Sequence, residues 1–149
     1  MHAKLIWKGN LQFATEGGDQ SVMMDAKPPV GQGKGQTPKQ LLLAALCGCT
    51  AMDVASLLRK HRQAIKRFEI TAEATSREGV HPAVFTAIDI AFRIEGTVEP
   101  SLALEAARLS QTLYCGISAM LSRAVPIRYE VFINGASVGG GEAQFAPAT

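Results

Sequence analysis

Apolar and polar residues alternate in two long stretches of this chain. In the first, Phe68, Ile70, Ala72 and Ala74 oppose Glu69, Thr71, Glu73 and Arg77. Past a turn at Gly79–Pro82, Val84, Ile88, Ile90, Phe92 and Ile94 oppose Asp89, Arg93 and Glu95. A period of two over this length predicts two strands, each with one covered and one wet face. Three shorter strands precede them: "KLIWKG" and "LQFATE" around Gly9-Asn10, and "SVMMDA" after Gly17, Gly18 and Asp19. "KPPVGQGKGQTP" is then a loop by its Pro and Gly content.

A different pattern fills "TPKQLLLAALCGCTAMDVASLLRK", Thr37 to Lys60, which is apolar almost all round. It predicts a helix with Thr37 as N-cap, Pro38 at its first position and a basic end at its negative pole. Pro100 and Ser101 open a second helix, with Leu102, Ala106, Leu109 and Leu113 as its apolar stripe. Cys115-Gly116 breaks that pattern, "ISAMLSRAV" resumes it up to Pro126, and "IRYEVFI" is a last strand before a Gly-rich tail over 135–149. The expected order is βββ-α-ββ-αα-β, an α+β fold with an antiparallel sheet packed on central helices. One domain over 1–149 is expected.

Composition narrows the class. The chain has 149 residues, 47% of them hydrophobic, enough for one sizeable core. A net charge of +2 does not point to nucleic acid, and "RKHRQAIKRF" reads as a solvated helix end. "GQGKGQ" lacks the spacing of a phosphate loop. Gly48, Thr50, Asp53 and Ser56 interrupt the run Leu41–Leu58, which reads as a core helix covered partly by a second subunit, not as a membrane span. The start "MHAKLIWKGN" has no secretory pattern, and three cysteines do not make a disulfide scaffold. A reducing cytoplasm is expected.

The chemistry rests on those cysteines. Residues two apart on a helix point about 200° apart, so Cys47 and Cys49 do not face one site. His2, His61 and His81 show no ligand spacing, and no metal is expected. Around Cys49 lie Ala45, Leu46, Asp53 and Ser56, the more polar of the two stripes. Cys115 falls at the start of a helical segment, where N–H groups stabilise a thiolate. Asp53, beside Cys49, would instead keep that thiol protonated. All three cysteines also fit as small buried hydrophobes. Trp7, Phe13, Phe85, Tyr114 and Phe145 are candidates to line an apolar pocket, Tyr114 by its place next to Cys115.

"TPKQLLLAALCGCTAMDV", followed far downstream by "LSQTLYCGISAMLSRAVPI", resembles the OsmC/Ohr family, named for osmotically inducible protein C and organic hydroperoxide resistance protein. The resemblance implies an intertwined homodimer and a thiol peroxidase without metal or flavin. By position, Cys49 corresponds to the peroxidatic cysteine and Cys115 to the resolving one, while Cys47 has no family role. An organic hydroperoxide would oxidise Cys49, and a lipoyl-type or thioredoxin-type dithiol would reopen the resulting disulfide.

The chain departs from the family pattern as a pair. The arginine that supports the thiolate in the family's strongest peroxidases is absent, since no arginine precedes Arg59. The glutamate that holds it, ten residues before the peroxidatic cysteine, is Lys39 here, counted from Cys49, and Gly116 replaces the proline after the resolving one. Lys39 and Lys34 are the candidate replacement cations. The loss leaves room for a non-enzymatic dimer binding a small apolar or acyl ligand, or for a redox sensor.

Overall fold

The computed structural model describes residues 1–147 and divides the chain into two compact units, Met1–Ala44 and the part from Ala45 onward. Helix α1 (Pro38–Lys60) runs through the boundary. In the N-terminal unit, β1 (Leu5–Gly9), β2 (Gln12–Thr15) and β3 (Met23–Met24) form a three-stranded antiparallel sheet in that order. Asn10, at φ 48°, turns β1 into β2, and its carbonyl accepts the Trp7 indole N–H at 2.9 Å.

The glycine- and proline-rich loop after β3 is organised by one carboxylate. Asp25 is 2% exposed and accepts the backbone N–H groups of Ala26, Gln32 and Lys34 at 2.8, 3.2 and 3.0 Å, plus Gln12 Nε2 at 3.3 Å. The chain wraps so closely that a Cβ on Gly31 would collide with the Ala26 backbone. The loop's composition is therefore explained by this anion, and Lys34 contributes its amide to it. Past the loop, Thr37 and Gln40 form a capping box: Gln40 N–H donates to Thr37 Oγ1 at 3.3 Å, and Thr37 N–H to Gln40 Oε1 at 2.9 Å.

In the C-terminal unit, β4 (Ala64–Ser76), β5 (Phe85–Thr97), β6 (Ile127–Ile133) and β7 (Ala136–Glu142) form one sheet in that order. The sheet is antiparallel except between β5 and β6, which are parallel. Helices α2 (Pro100–Leu109) and α3 (Gly116–Leu121) lie in the β5–β6 connection, and a crossover of that kind is what parallel pairing requires. The expected alternation holds where it matters: Ile88, Ile90, Phe92 and Ile94 of β5 and Ile127, Tyr129, Val131 and Ile133 of β6 are all buried.

Two expectations change. The Gly-rich tail contains a seventh strand, joined to β6 by Asn134 (φ 50°) and Gly135 (φ 85°), the residue pair that suits a tight hairpin turn. Its glycines let α2 approach, since a Cβ on Gly139 would stand 3.0 Å from Leu104 Cδ2. Residues 148 and 149 of that tail lie outside the described residues. The buried face of the second helix is Ala103, Ala106 and Ala107, continued by Ser110 and Gln111, while Leu113 is 62% exposed. That face keeps helical spacing, with Ser110 and Gln111 one turn beyond Ala106 and Ala107. A π-turn over Ser110–Tyr114 then widens the helix and leaves Leu113 and Tyr114 outward.

Phe92→Ala, at the sheet centre with Phe68 and Tyr129 rings against it, is expected to cost about 3–5 kcal/mol in denaturant unfolding. Hydrogen bonding, led by the Lys34 amide, holds the Asp25 carboxyl below its ordinary 3.8. A depressed carboxylate stabilises above its unfolded-state value and loses that contribution as pH falls through the folded-state value. The thermal stability of the native protein over Asp25→Asn should thus be constant near neutrality and shrink progressively below about pH 4.

Candidate active site

Three side chains with reactive or proton-binding atoms converge in the C-terminal unit. The sulfurs of Cys49 and Cys115 and a carboxylate oxygen of Asp53 all lie within 4.8 Å of one another. Cys49 and Asp53 are one turn apart on α1, so they share a face. Cys115 comes from the end of the π-turn, where its N–H bonds Ser110 O at 3.0 Å in the wide i→i+5 pattern. Cys49 is half-buried and Cys115 fully buried.

Cys115 is also the N-cap of α3, with its sulfur accepting the Ser118 N–H at 3.3 Å. Sequence reasoning expects this position to favour a thiolate. Burial instead pushes the Cys115 thiol up; hydrogen bonding from Ser118 pulls it down, and the adjacent Cys49 sulfur pushes it up again, leaving it raised. The six-residue helix gives too little to offset complete desolvation. Cys47, on the other side of α1, is pushed up by burial.

A hydrogen-bonded chain leads from the interior to the carboxylate. Ser110 Oγ donates to Asp53 Oδ2 at 2.9 Å, Thr50 Oγ1 and Ser110 Oγ are 3.0 Å apart, and Gln111 Nε2 donates to Thr50 Oγ1 at 2.6 Å. Thr50, Ser110 and Gln111 are 0% exposed. Each hydroxyl has one proton. Ser110 spends its proton on the carboxylate, so Thr50 must be the donor to Ser110. All protons therefore point toward Asp53. Gln111 Oε1 and Ser118 Oγ are buried without a partner among the described residues. None of Thr50, Ser110 and Gln111 was indicated by the sequence pattern. The usable signal was a polar Ser-Gln pair directly continuing a stripe of small alanines.

The other candidates fall elsewhere. Lys34 and Lys39 belong to the N-terminal unit, Lys39 in the first turn of α1. Tyr114 neighbours Cys115 but is 53% exposed, and Trp7 and Phe13 are exposed on the N-terminal sheet. Phe145 lines a groove of about 420 Å³ with Leu113, Met120 and Ala146. A wider hollow of about 780 Å³ over the charged residues of sheet β4–β7 includes none of the cysteines. Among the described residues, Cys49, Asp53 and Cys115 are the group with the spacing to hold a metal ion.

The OsmC-like protein family model matches residues 31–130, a span that contains both thiols. The chain belongs to the OsmC-like family. Protein YhfA of Escherichia coli K12 is 33% identical over 135 residues, covering 88% of this chain and 98% of YhfA. The crystal structure of an OsmC-like protein from Mycoplasma pneumoniae superposes with a TM-score of 0.76 at 14% identity, covering 89% of this chain and 95% of that one. OhrB of Bacillus subtilis, an organic hydroperoxide resistance protein, superposes with a TM-score of 0.62 at 18% identity, covering 88% and 98%. At those identities the two structures speak for the OsmC-like fold.

Mild oxidation with diamide is expected to join Cys49 to Cys115 within one chain, read by peptide mass mapping. Cys47→Ser should leave that bridge unchanged. Gln111→Leu, which removes the chain's first donor and leaves the Thr50 hydroxyl with nothing to accept from, should cost about 1–3 kcal/mol in denaturant unfolding.

Proposed function

We propose that the protein is a thiol-dependent peroxidase that reduces organic hydroperoxides through Cys49 and Cys115, as a homodimer in a reducing cytoplasm. The observation that carries this reading is the approach of the two sulfurs, 66 positions apart in sequence, to within 4.8 Å. Their unequal burial suits a division of labour. The half-buried Cys49 meets the peroxide and becomes a sulfenic acid, and the buried Cys115 condenses with it to a disulfide. A lipoyl-type or thioredoxin-type dithiol then reopens the disulfide. The hydroperoxide resistance protein among the structural neighbours supports the substrate class.

The homodimer is supported by uncovered apolar surface. Helix α1 is long and apolar enough to cross a membrane, yet only 22% of its most apolar 18-residue window is buried within the chain. Met52 on α1 is 69% exposed, and Leu113 and Met120 are 62% and 63% exposed. Surfaces of this kind mark an interaction site, and a second copy supplies a matching one.

A second reading has one observation in its favour. The groove beside Leu113, Met120 and Phe145 suits a small apolar or acyl ligand held without chemistry. Native mass spectrometry separates the two. A co-purified lipid with Cys49 inert to peroxide supports the binding protein.

Under the peroxidase reading, cumene or tert-butyl hydroperoxide is consumed when a dithiol is supplied. Cys49→Ser should abolish turnover, and Cys115→Ser should leave a sulfenic acid that dimedone traps at Cys49. Unchanged turnover in Cys49→Ser removes the assignment.

A further inference from the structure

We infer that Asp53 is the proton carrier of this site, accepting the proton of each thiol in turn, and that Gln111, Thr50 and Ser110 hold it in place for that task. The peroxide step rests on the function proposed above; the thiol chemistry stands apart from it.

The geometry has three parts. The carboxylate lies within 4.8 Å of both sulfurs. One of its oxygens, Oδ2, is held by Ser110 at 2.9 Å, which leaves the carboxylate able to accept from a thiol. Behind Ser110, Thr50 and Gln111 are fully buried and donate in one direction, so the carboxylate is held at the end of a buried chain of donors. The titratable groups facing it are Cys49 on its own helix and Cys115 at the N-cap of α3. No lysine or arginine of the C-terminal unit pairs with it among the described residues.

A thiol is made nucleophilic in one of two ways: its thiolate is stabilised in advance, or its proton is removed as it attacks. Asp53 is placed for the second. Asp53 takes the Cys49 proton as the sulfur attacks the terminal oxygen of ROOH. The S–O bond forms and the O–O bond breaks, so sulfur is oxidised by two electrons and the peroxide reduced. The leaving alkoxide takes the proton back from Asp53, giving ROH and Cys49–SOH. Asp53 next takes the Cys115 proton as that sulfur attacks Cys49. The S–S bond forms, the S–OH bond breaks, and the departing hydroxide collects the proton as water. The carboxylate ends each half-cycle as it began.

The sign of one measurement decides the matter. A carboxylate that acts only as a charge opposes thiolate formation nearby, so removing it would speed the thiol. A base, when removed, slows it. Iodoacetamide labelling of Cys49 in the full chain, followed by peptide mass mapping from pH 5.5 to 10, reads this without any peroxide. Asp53→Asn is expected to slow labelling near neutral pH by about tenfold or more, with the deficit closing at high pH, where bulk solvent deprotonates the thiol. Single-turnover sulfenic acid formation should fall by roughly a hundredfold, the lower end of what a positioned general base contributes.

Ser110→Ala, which frees Oδ2 but keeps the carboxylate, should show a smaller loss with the same pH dependence, and it carries the test should Asp53→Asn fail to fold. Labelling that is unchanged or faster in these variants overturns the inference. If native protein does not consume hydroperoxide while the labelling deficit is present, the peroxidase reading fails and the proton-transfer role stands.

Discussion

Three buried polar side chains, Gln111, Thr50 and Ser110, and the part-buried Asp53 at their end set the arrangement on which the site depends. A buried hydroxyl or amide without a partner costs free energy, so α1 and the π-turn after α2 can come together only in the register that pairs them. That register aligns Asp53 with the position where Cys115 enters, and it brings Cys49, one turn away on the same face of α1, against the second sulfur. The sulfur pair is thus a consequence of helix packing specified by hydrogen bonds, in which an apolar contact alone would allow sliding.

The π-turn is the second element of that specification. Ser110 and Gln111 stand one turn beyond Ala106 and Ala107, so regular helical spacing already faces them inward. Widening the turn that follows leaves Tyr114, next on that face, exposed and delivers Cys115 as the N-cap of α3. Extra-wide turns of this kind commonly occur at functional sites because they re-aim side chains that a regular helix would misplace. Here the same turn serves the carboxylate, through Ser110, and the buried thiol, through the Ser110 carbonyl.

Much of this was legible in the chain. Period-two alternation located β4 and β5, Thr37-Pro38 located the start of α1, and Pro100 located α2. The two cysteine motifs named the family. What the pattern missed has common physical causes. The strand after Asn134-Gly135 is hidden because glycines at 139 to 141 suppress strand propensity, yet Gly139 is where α2 comes over β7, and Gly140 and Gly141 leave room for Tyr129 of β6. Ser110 and Gln111 give no signal in the hydropathy pattern, which assigns polar residues to the wet side, and only tertiary pairing with Thr50 reverses that. The loop of residues 27–36 is legible as a loop, but its internal order is not, because its organising group, Asp25, precedes it and works through backbone amides.

The paired absence of an arginine and its glutamate then has a physical reading. A cation beside a thiol favours the charged form before the substrate arrives, at the cost of a companion anion to hold the cation. Asp53 carries the opposite charge to such a cation, so it cannot substitute for one electrostatically. The two arrangements solve the same difficulty, a thiol among apolar side chains, by different routes: one stabilises the ion, the other moves the proton only when a bond is being made. The second route tolerates a buried Cys115 whose thiol is pushed up by desolvation, because a group that gives up its proton during attack has no need to be ionised beforehand. It also makes orientation matter more than charge. That is why the hydrogen-bonded chain behind the carboxylate, more than any single residue in contact with sulfur, determines whether the pair can react.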